Sequence, residues 1–277
     1  MMKQRLLGLA LGGAAAYLTQ KLLPESESWI RQNFVGKPVS LRGGVASAIT
    51  ATACSAVTIL ASPRIGLAAT ALSAVSAGAG YFDDMDQGRH DGDHTAKGLG
   101  GHLGALREGH VSSGLIKLGS IGAASAVAAT VLPHRRGMLG CADWVAGTVL
   151  LAGGTNMINL LDLRPVRARK AVLATSIPTL LARGDASIIG AAATAAAAGG
   201  FSDDGRGKTM LGDTGANSLG ALASFGVGLA MPLTGRYAAA ALLVAATLAS
   251  EKISFSEVIA NSTILSRIDA WGRPDGV

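Results

Sequence analysis

The chain has 277 residues, a formal net charge of +6, only 15% charged residues and a mean hydropathy of +0.40, a balance that excludes an ordinary soluble fold and makes the bilayer the better solvent. Aromatic residues are 4% of the chain, and the apolar content is mostly Ala, Leu, Val and Gly, small side chains that suit close helix contact inside a membrane. Cys54 and Cys141 stand alone in apolar stretches, which excludes a disulfide framework or a CxxC metal site, and the cations lack the interleaved aromatics of a nucleic-acid surface.

The first apolar run, 6–20, follows Lys3 and Arg5. No polar cleavage region succeeds it, so it is expected to be an uncleaved helix rather than a signal peptide. Uncharged runs follow at 43–63, 65–82, 118–133, 144–161, 186–202 and 214–235, with weaker ones at 171–182 and 237–250. A spanning helix needs about 17–25 residues. The first run and the two weaker ones reach that length only if flanking Lys and Arg side chains snorkel to the interface. The pattern predicts an all-α, polytopic integral membrane protein of about nine to ten transmembrane helices. Positions 1–277 read as a single domain, without internal repeats or a second soluble unit.

Numbering the spans in order places the loops after the odd-numbered spans on one side. Those loops carry most of the 24 basic residues and, of the 18 acidic residues, all but Asp143 and Asp185. The positive-inside rule makes this side cytosolic. The polar material of the chain is thereby expected on one membrane face, with membrane lipids around the spans.

The loop after the third span opens with GYFDDMD, in which Asp83, Asp84 and Asp86 crowd together at a hydrophobic boundary. A cation or a proton offsets such repulsion, and hard oxygen ligands suit Mg²⁺ holding phosphates; an ordinary solvated loop reads equally well. The same loop carries His90, His94, His102 and His110, but no Cys or HExxH pattern fixes a closed zinc site, so these are read as structural or solvated. Lys97, Arg107 and Lys117 are candidate phosphate or headgroup contacts.

The fifth span runs into GTNMINLLDLRPVRARK. Asn156, Asn159 and Asp162 share one helical face near its end, and Arg164, Arg167, Arg169 and Lys170 follow. Buried amides and a carboxylate at a membrane surface favour a functional role, and the cations could meet a diphosphate or simply anchor the topology. Before the eighth span, KTMLGDTGANSLG sets Asp213 between glycines that let backbone approach a ligand. There the helix start could turn free amides toward phosphate, while Asp213 and Thr214 could equally cap their own helix.

Taken together, NFVGKPVSLRGGVA at 33–46, GYFDDMD at 80–86, NMINLLD at 156–162 and LGDTGANSLG at 211–220 resemble, in order, the polyprenyl-phosphate sugar-1-phosphate transferases, the family of lipid I synthase and the GlcNAc-1-phosphate transferases. The resemblance implies transfer of a sugar-1-phosphate from a UDP-sugar to polyprenyl phosphate, releasing UMP, at the cytosolic face of a bacterial-type plasma membrane during cell-envelope glycan synthesis. It implies Asp83, Asp84 and Asp213 as ligands of Mg²⁺, with Mn²⁺ as the alternative ion. Asp83 and Asp162 become the catalytic candidates, with no choice between them as base. Lys97, Lys117, Asn156, Asn159, Arg164, Arg167 and Arg169 become substrate contacts. A homodimer or a cell-envelope protein is the implied assembly partner, and no nucleic acid is expected. The chain departs from the family pattern at Pro165, where a GxDGLA-type continuation would carry a second Asp, and it lacks the His-rich loop near the last spans. Those departures motivate an alternative, a non-catalytic relative that binds a polyprenyl lipid or a partner protein.

Overall fold

The computed structural model describes residues 2–91 and 98–273. In chain order the helices are α1 (Met2–Leu22), α2 (Arg42–Val57), α3 (Pro63–Asp86), α4 (Gly98–Arg107), α5 (Ser113–Ala129), α6 (Met138–Leu161), α7 (Arg167–Ser176), α8 (Asp185–Gly199), α9 (Phe201–Gly205), α10 (Gly212–Ala230), α11 (Leu233–Ser250), α12 (Phe255–Ala260) and α13 (Thr263–Ala270). The only sheet among the described residues is a small antiparallel hairpin, β1 (Ile30–Gln32) with β2 (Pro38–Ser40), in which Ile30 faces Ser40. The all-helical class is therefore as expected.

Every apolar run falls on a helix, and local chemistry explains the boundaries. Pro63 starts α3 at a position where its missing N–H costs nothing, and Gln87 ends the helix in the left-handed conformation at φ 52°. Ser112 caps α5 by accepting a hydrogen bond from the Leu115 amide. Four stretches are long and apolar enough to cross a membrane: Arg42–Leu60, α3, α6 and α11, with α5 a shorter apolar helix. The weak run at 171–182 does not make one continuous span. Its helix α7 has 10 residues, about 15 Å of rise against a hydrocarbon core of about 30 Å, and Pro178 begins a separate 3₁₀ turn to Leu181.

Helix α10 is the axis of the bundle, packed against α2, α3, α6, α7 and α8 with Leu219, Leu222 and Phe225 fully buried. The outer surface is apolar instead of charged: Leu60, Val127, Leu242 and Leu248 all point outward, the inverse of a soluble bundle. Small residues set the spacing inside. Gly44 of α2 lies against the Leu211 backbone and Gly80 of α3 against the backbone of Asp213 and Thr214. A methyl at position 80 would collide with the Asp213 carbonyl, so Gly80→Ala is expected to lower stability by about 1–3 kcal/mol, read as a drop in Tm of the detergent-solubilised protein. Gly78, in the same helix and facing open space, is the matched control, where alanine is expected to be neutral or slightly stabilising.

The helices alternate in direction, so their polar ends gather into two groups. At one end Ser62 Oγ donates to Asp185 at 2.6 Å, and Arg135 pairs with Asp143 at 2.6 Å while Tyr237 donates to the same carboxylate at 2.9 Å. At the other end lie the C-termini of α3 and α6 and the N-termini of α2, α5, α7 and α10, which carry the acidic motifs.

Candidate functional site

The ammonium of Lys117, in the second turn of α5, stands between two of the three acidic motif residues. It donates to Asp83 Oδ2 at 2.7 Å and to Asp213 Oδ2 in a second ion pair. Three helices thus converge on one cation: α3 supplies Asp83, α10 supplies Asp213 and α5 supplies Lys117. Each of the three side chains is about one-fifth exposed, so the cluster opens to the surface without being flooded by it. Two carboxylates and one ammonium thus form a compact ionic triad where the three helices meet.

Asp84 does something different. Its Oδ1 accepts the Asp213 amide at 3.1 Å, and its Oδ2 accepts the Thr214 amide at 2.9 Å and the Thr214 hydroxyl at 2.6 Å. The carboxylate of one helix therefore caps another, since Leu211, the residue at the α10 cap position, offers no side-chain bond. Asp213 and Thr214 do not cap their own helix, and the α10 amides expected to face phosphate are already taken by Asp84. Arg31 of β1 fastens the same corner by donating to the Asp84 carbonyl, with its Nε at 3.2 Å.

Asp162 lies immediately beyond α6, on a cleft of about 270 Å³ bounded by Phe34, Arg164, Asp204 and Met210. No described side chain donates a hydrogen bond to its carboxylate. Burial pushes its pKa well above the usual carboxylate value, the charge of Asp204 adds to this, and Arg169 pulls the other way; Asp213 and Asp84 also contribute, which ties the cleft electrostatically to the Lys117 cluster. The loop forming the cleft floor is fixed by Met210, whose amide donates to the Ser40 carbonyl at 2.9 Å and whose carbonyl accepts the Gly44 amide at 3.0 Å. Asn156 and Asn159 precede Asp162 on α6 and are partly buried.

The basic run after Asp162 separates into different tasks because Val166, at φ 55° and buried, reverses the chain within it. Arg164 lines the cleft with its guanidinium 3.9 Å from the centre of the Phe34 ring, a cation–π contact. Arg167 instead forms a two-bond ion pair with Asp269 of α13, at 2.6 and 3.0 Å, and donates to Ser256 of α12 at 2.9 Å. Burial alone would raise the Asp269 carboxyl, but the bonds from Arg167 and the charges of Arg167 and Arg273 hold it below the usual range. Lys170 donates to the carbonyls of Ile268, Asp269 and Trp271. Arg169 is wholly enclosed, its Nε 2.8 Å from Asp204 Oδ2 and its Nη1 3.1 Å from the Ala197 carbonyl. Of the three arginines expected to meet substrate, only Arg164 faces the cleft; Arg169 is a buried structural cation, and Arg167 anchors the C-terminal helices.

Lys97 lies outside the described residues, as does His94. Reasoning from sequence missed Asp204, Arg31 and Phe34, whose roles depend on contacts between distant segments; the tandem Asp203–Asp204 at the end of a span was the available signal for the first of them. Two of the histidines read as structural or solvated, His90 and His110, come together with Asp91, one ligand-capable atom of each lying within 4.8 Å of the others.

No protein-family model, curated protein or solved structure matches this chain. Four helices able to cross a membrane support membrane association.

Proposed function

We propose that the chain is a multi-pass membrane enzyme, with more spans than the four longest apolar helices, that transfers a sugar-1-phosphate from a UDP-sugar to a polyprenyl phosphate. The observation that carries this reading is the meeting of Asp83, Lys117 and Asp213 beside the Asp162 cleft, all at one end of the bundle. The site ends of the helices face the cytosol in this reading, because the loops there hold most of the basic residues.

In the reaction a phosphate oxygen of the lipid attacks the β-phosphorus of the UDP-sugar. The bond from that phosphorus to the bridging oxygen breaks, UMP leaves with the electron pair, and the bond between the sugar's anomeric carbon and its oxygen stays intact. Such chemistry depends mainly on positioning and charge stabilisation. Asp83 and Asp213 would hold Mg²⁺, which supplies positive charge to the diphosphate when bound. Lys117 bridges the two carboxylates without the ion; with Mg²⁺ bound it would turn its ammonium to a non-bridging oxygen of the diphosphate. Arg164, braced on Phe34, meets the donor phosphates from the cleft side. Asp162, its carboxyl shifted upward by burial, holds a proton more readily than an ordinary Asp and can hydrogen-bond the donor in either protonation state.

Purified protein is expected to release UMP from a UDP-sugar panel only when Mg²⁺ and polyprenyl phosphate are both present, with Asp213→Asn reducing the rate by about 100-fold or more. Turnover that persists in Asp83→Asn and Asp213→Asn alike would remove the site. A second reading, a non-catalytic lipid-binding relative, is favoured by the commitment of Arg167 and Arg169 to internal ion pairs. Polyprenyl phosphate binding without UMP release across the whole panel would select it.

A further inference from the structure

We propose that His90, Asp91 and His110 bind a divalent transition-metal ion, with zinc the best fit, at a site separate from the Asp83–Lys117–Asp213 cluster. One ligand-capable atom from each of the three lies within 4.8 Å of the others. His110 Nε2 is 3.2 Å from Asp91 Oδ1. With zinc bonds of about 2.0–2.1 Å to nitrogen and oxygen, neighbouring ligands of a tetrahedral site stand about 3.3 Å apart, so this pair is already at ligand spacing. It is also longer than the roughly 2.7–2.9 Å of a strong charge-assisted bond.

His90 carries a second sign. Its Nε2 is 2.8 Å from the Val111 carbonyl, and a carbonyl can only accept, so Nε2 holds the proton. Nδ1 is then the bare nitrogen of the neutral ring. A histidine that donates one ring N–H to a carbonyl, with no hydrogen bond to its other nitrogen among the described residues, has the arrangement of metal ligands, whose outer hydrogen bonds fix the tautomer. The two imidazoles sit with centroids 5.6 Å apart, and Phe82 braces His90 edge-on. Asp91 is held by the Ser113 amide at 2.8 Å and hydroxyl at 3.0 Å.

Two imidazoles and one carboxylate suit zinc better than Mg²⁺, which prefers oxygen, and three protein ligands leave one position open. The ion would join the loop after α3 to the segment leading into α5, seven residues before Lys117. Its role is to fix the helix that presents the bridging ammonium.

The test uses full-length protein, carrying an affinity tag without histidine, stripped with chelator and titrated calorimetrically with Zn²⁺ and spectroscopically with Co²⁺. The expected result is a single saturable site with visible Co²⁺ absorption that zinc displaces and Mg²⁺ does not. His90→Gln and His110→Gln are each expected to weaken zinc by about 100-fold, at least the loss seen for outer-sphere partners. Circular dichroism and gel filtration verify that both variants remain folded, and Asp213→Asn is expected to bind zinc like the parent protein. The proposal is overturned by the lack of a saturable site in folded parent protein, by unchanged affinity in both histidine variants, or by loss of binding in Asp213→Asn.

Discussion

Lys117→Met is expected to cut turnover about 1000-fold and to make the protein dependent on divalent cation for its stability. The ammonium it removes is the common partner of Asp83 and Asp213, whose carboxylates it holds together from helices α3 and α10. Breaking a largely buried ionic cluster by deleting one partner costs about 3–5 kcal/mol, and the partial exposure of these groups puts the expected loss near the lower end, about 3 kcal/mol. Methionine matches the length of the lysine stem, so packing changes little and the electrostatic effect dominates. A divalent cation can occupy the place of the ammonium between the same oxygens. Tm of the variant is therefore expected to be low in EDTA and to recover with Mg²⁺ by more than the parent protein's does. Activity is expected to fall by about 1000-fold, because a fixed charge aimed at the reacting phosphate is missing. Equal Tm values for parent and variant in EDTA would show that the two carboxylates do not depend on Lys117.

Arg169→Met carries the largest stability penalty expected in the molecule, about 3–5 kcal/mol. Its guanidinium is fully enclosed, 2.8 Å from Asp204, and its charge also acts on the Asp162 carboxyl against the effect of burial. Burial raises the pKa of both carboxyls, against the pull of Arg169, so removing the arginine raises both further. An acid whose folded pKa lies above its unfolded value of about 3.9 contributes stability that is complete below that value and is lost as pH rises through the folded pKa. The stability gap between parent and variant is thus expected to be smallest at acid pH and to widen as pH rises toward neutral. Chemical denaturation at a series of pH values measures this gap. A gap that stays flat or narrows with rising pH would contradict the pairing. The double variant Arg169→Met with Asp204→Leu is expected to recover much of the loss, since a buried pair replaced by apolar groups leaves no orphaned charge.

The helices were legible in the sequence because each apolar run is a property of adjacent residues. The run at 171–182 shows the limit of that signal: hydropathy registers its apolar content, but Pro178 decides that the helix stops. The short amphipathic helices α12 and α13 lack a long apolar run, and their position depends on Arg167 and Lys170 reaching Asp269 and three backbone carbonyls from far away in sequence. The acidic motifs of α3 and α10 meet at one end of the bundle, around Lys117. What each residue does there was not legible in the sequence, because the two neighbouring aspartates of GYFDDMD point in different directions along one helix: Asp83 faces Lys117, whereas Asp84 faces the start of α10. A similar division separates Arg164 from Arg169, and the backbone reversal at Val166 that causes it has no mark in composition.

The contact between α3 and α10 has a mechanical consequence. Gly80 lets the two helices touch at the Asp213 backbone, and Asp84 then binds the first amides of α10, so both contacts fall within about one turn of each other. A third tie lies further along the same pair, where the Ser73 and Ser218 hydroxyls meet at 2.8 Å in the buried interior. Three ties in series make α3 and α10 behave as one stiff beam, so the spacing of Asp83 and Asp213 is set by the packed pair and not by the loops beyond it.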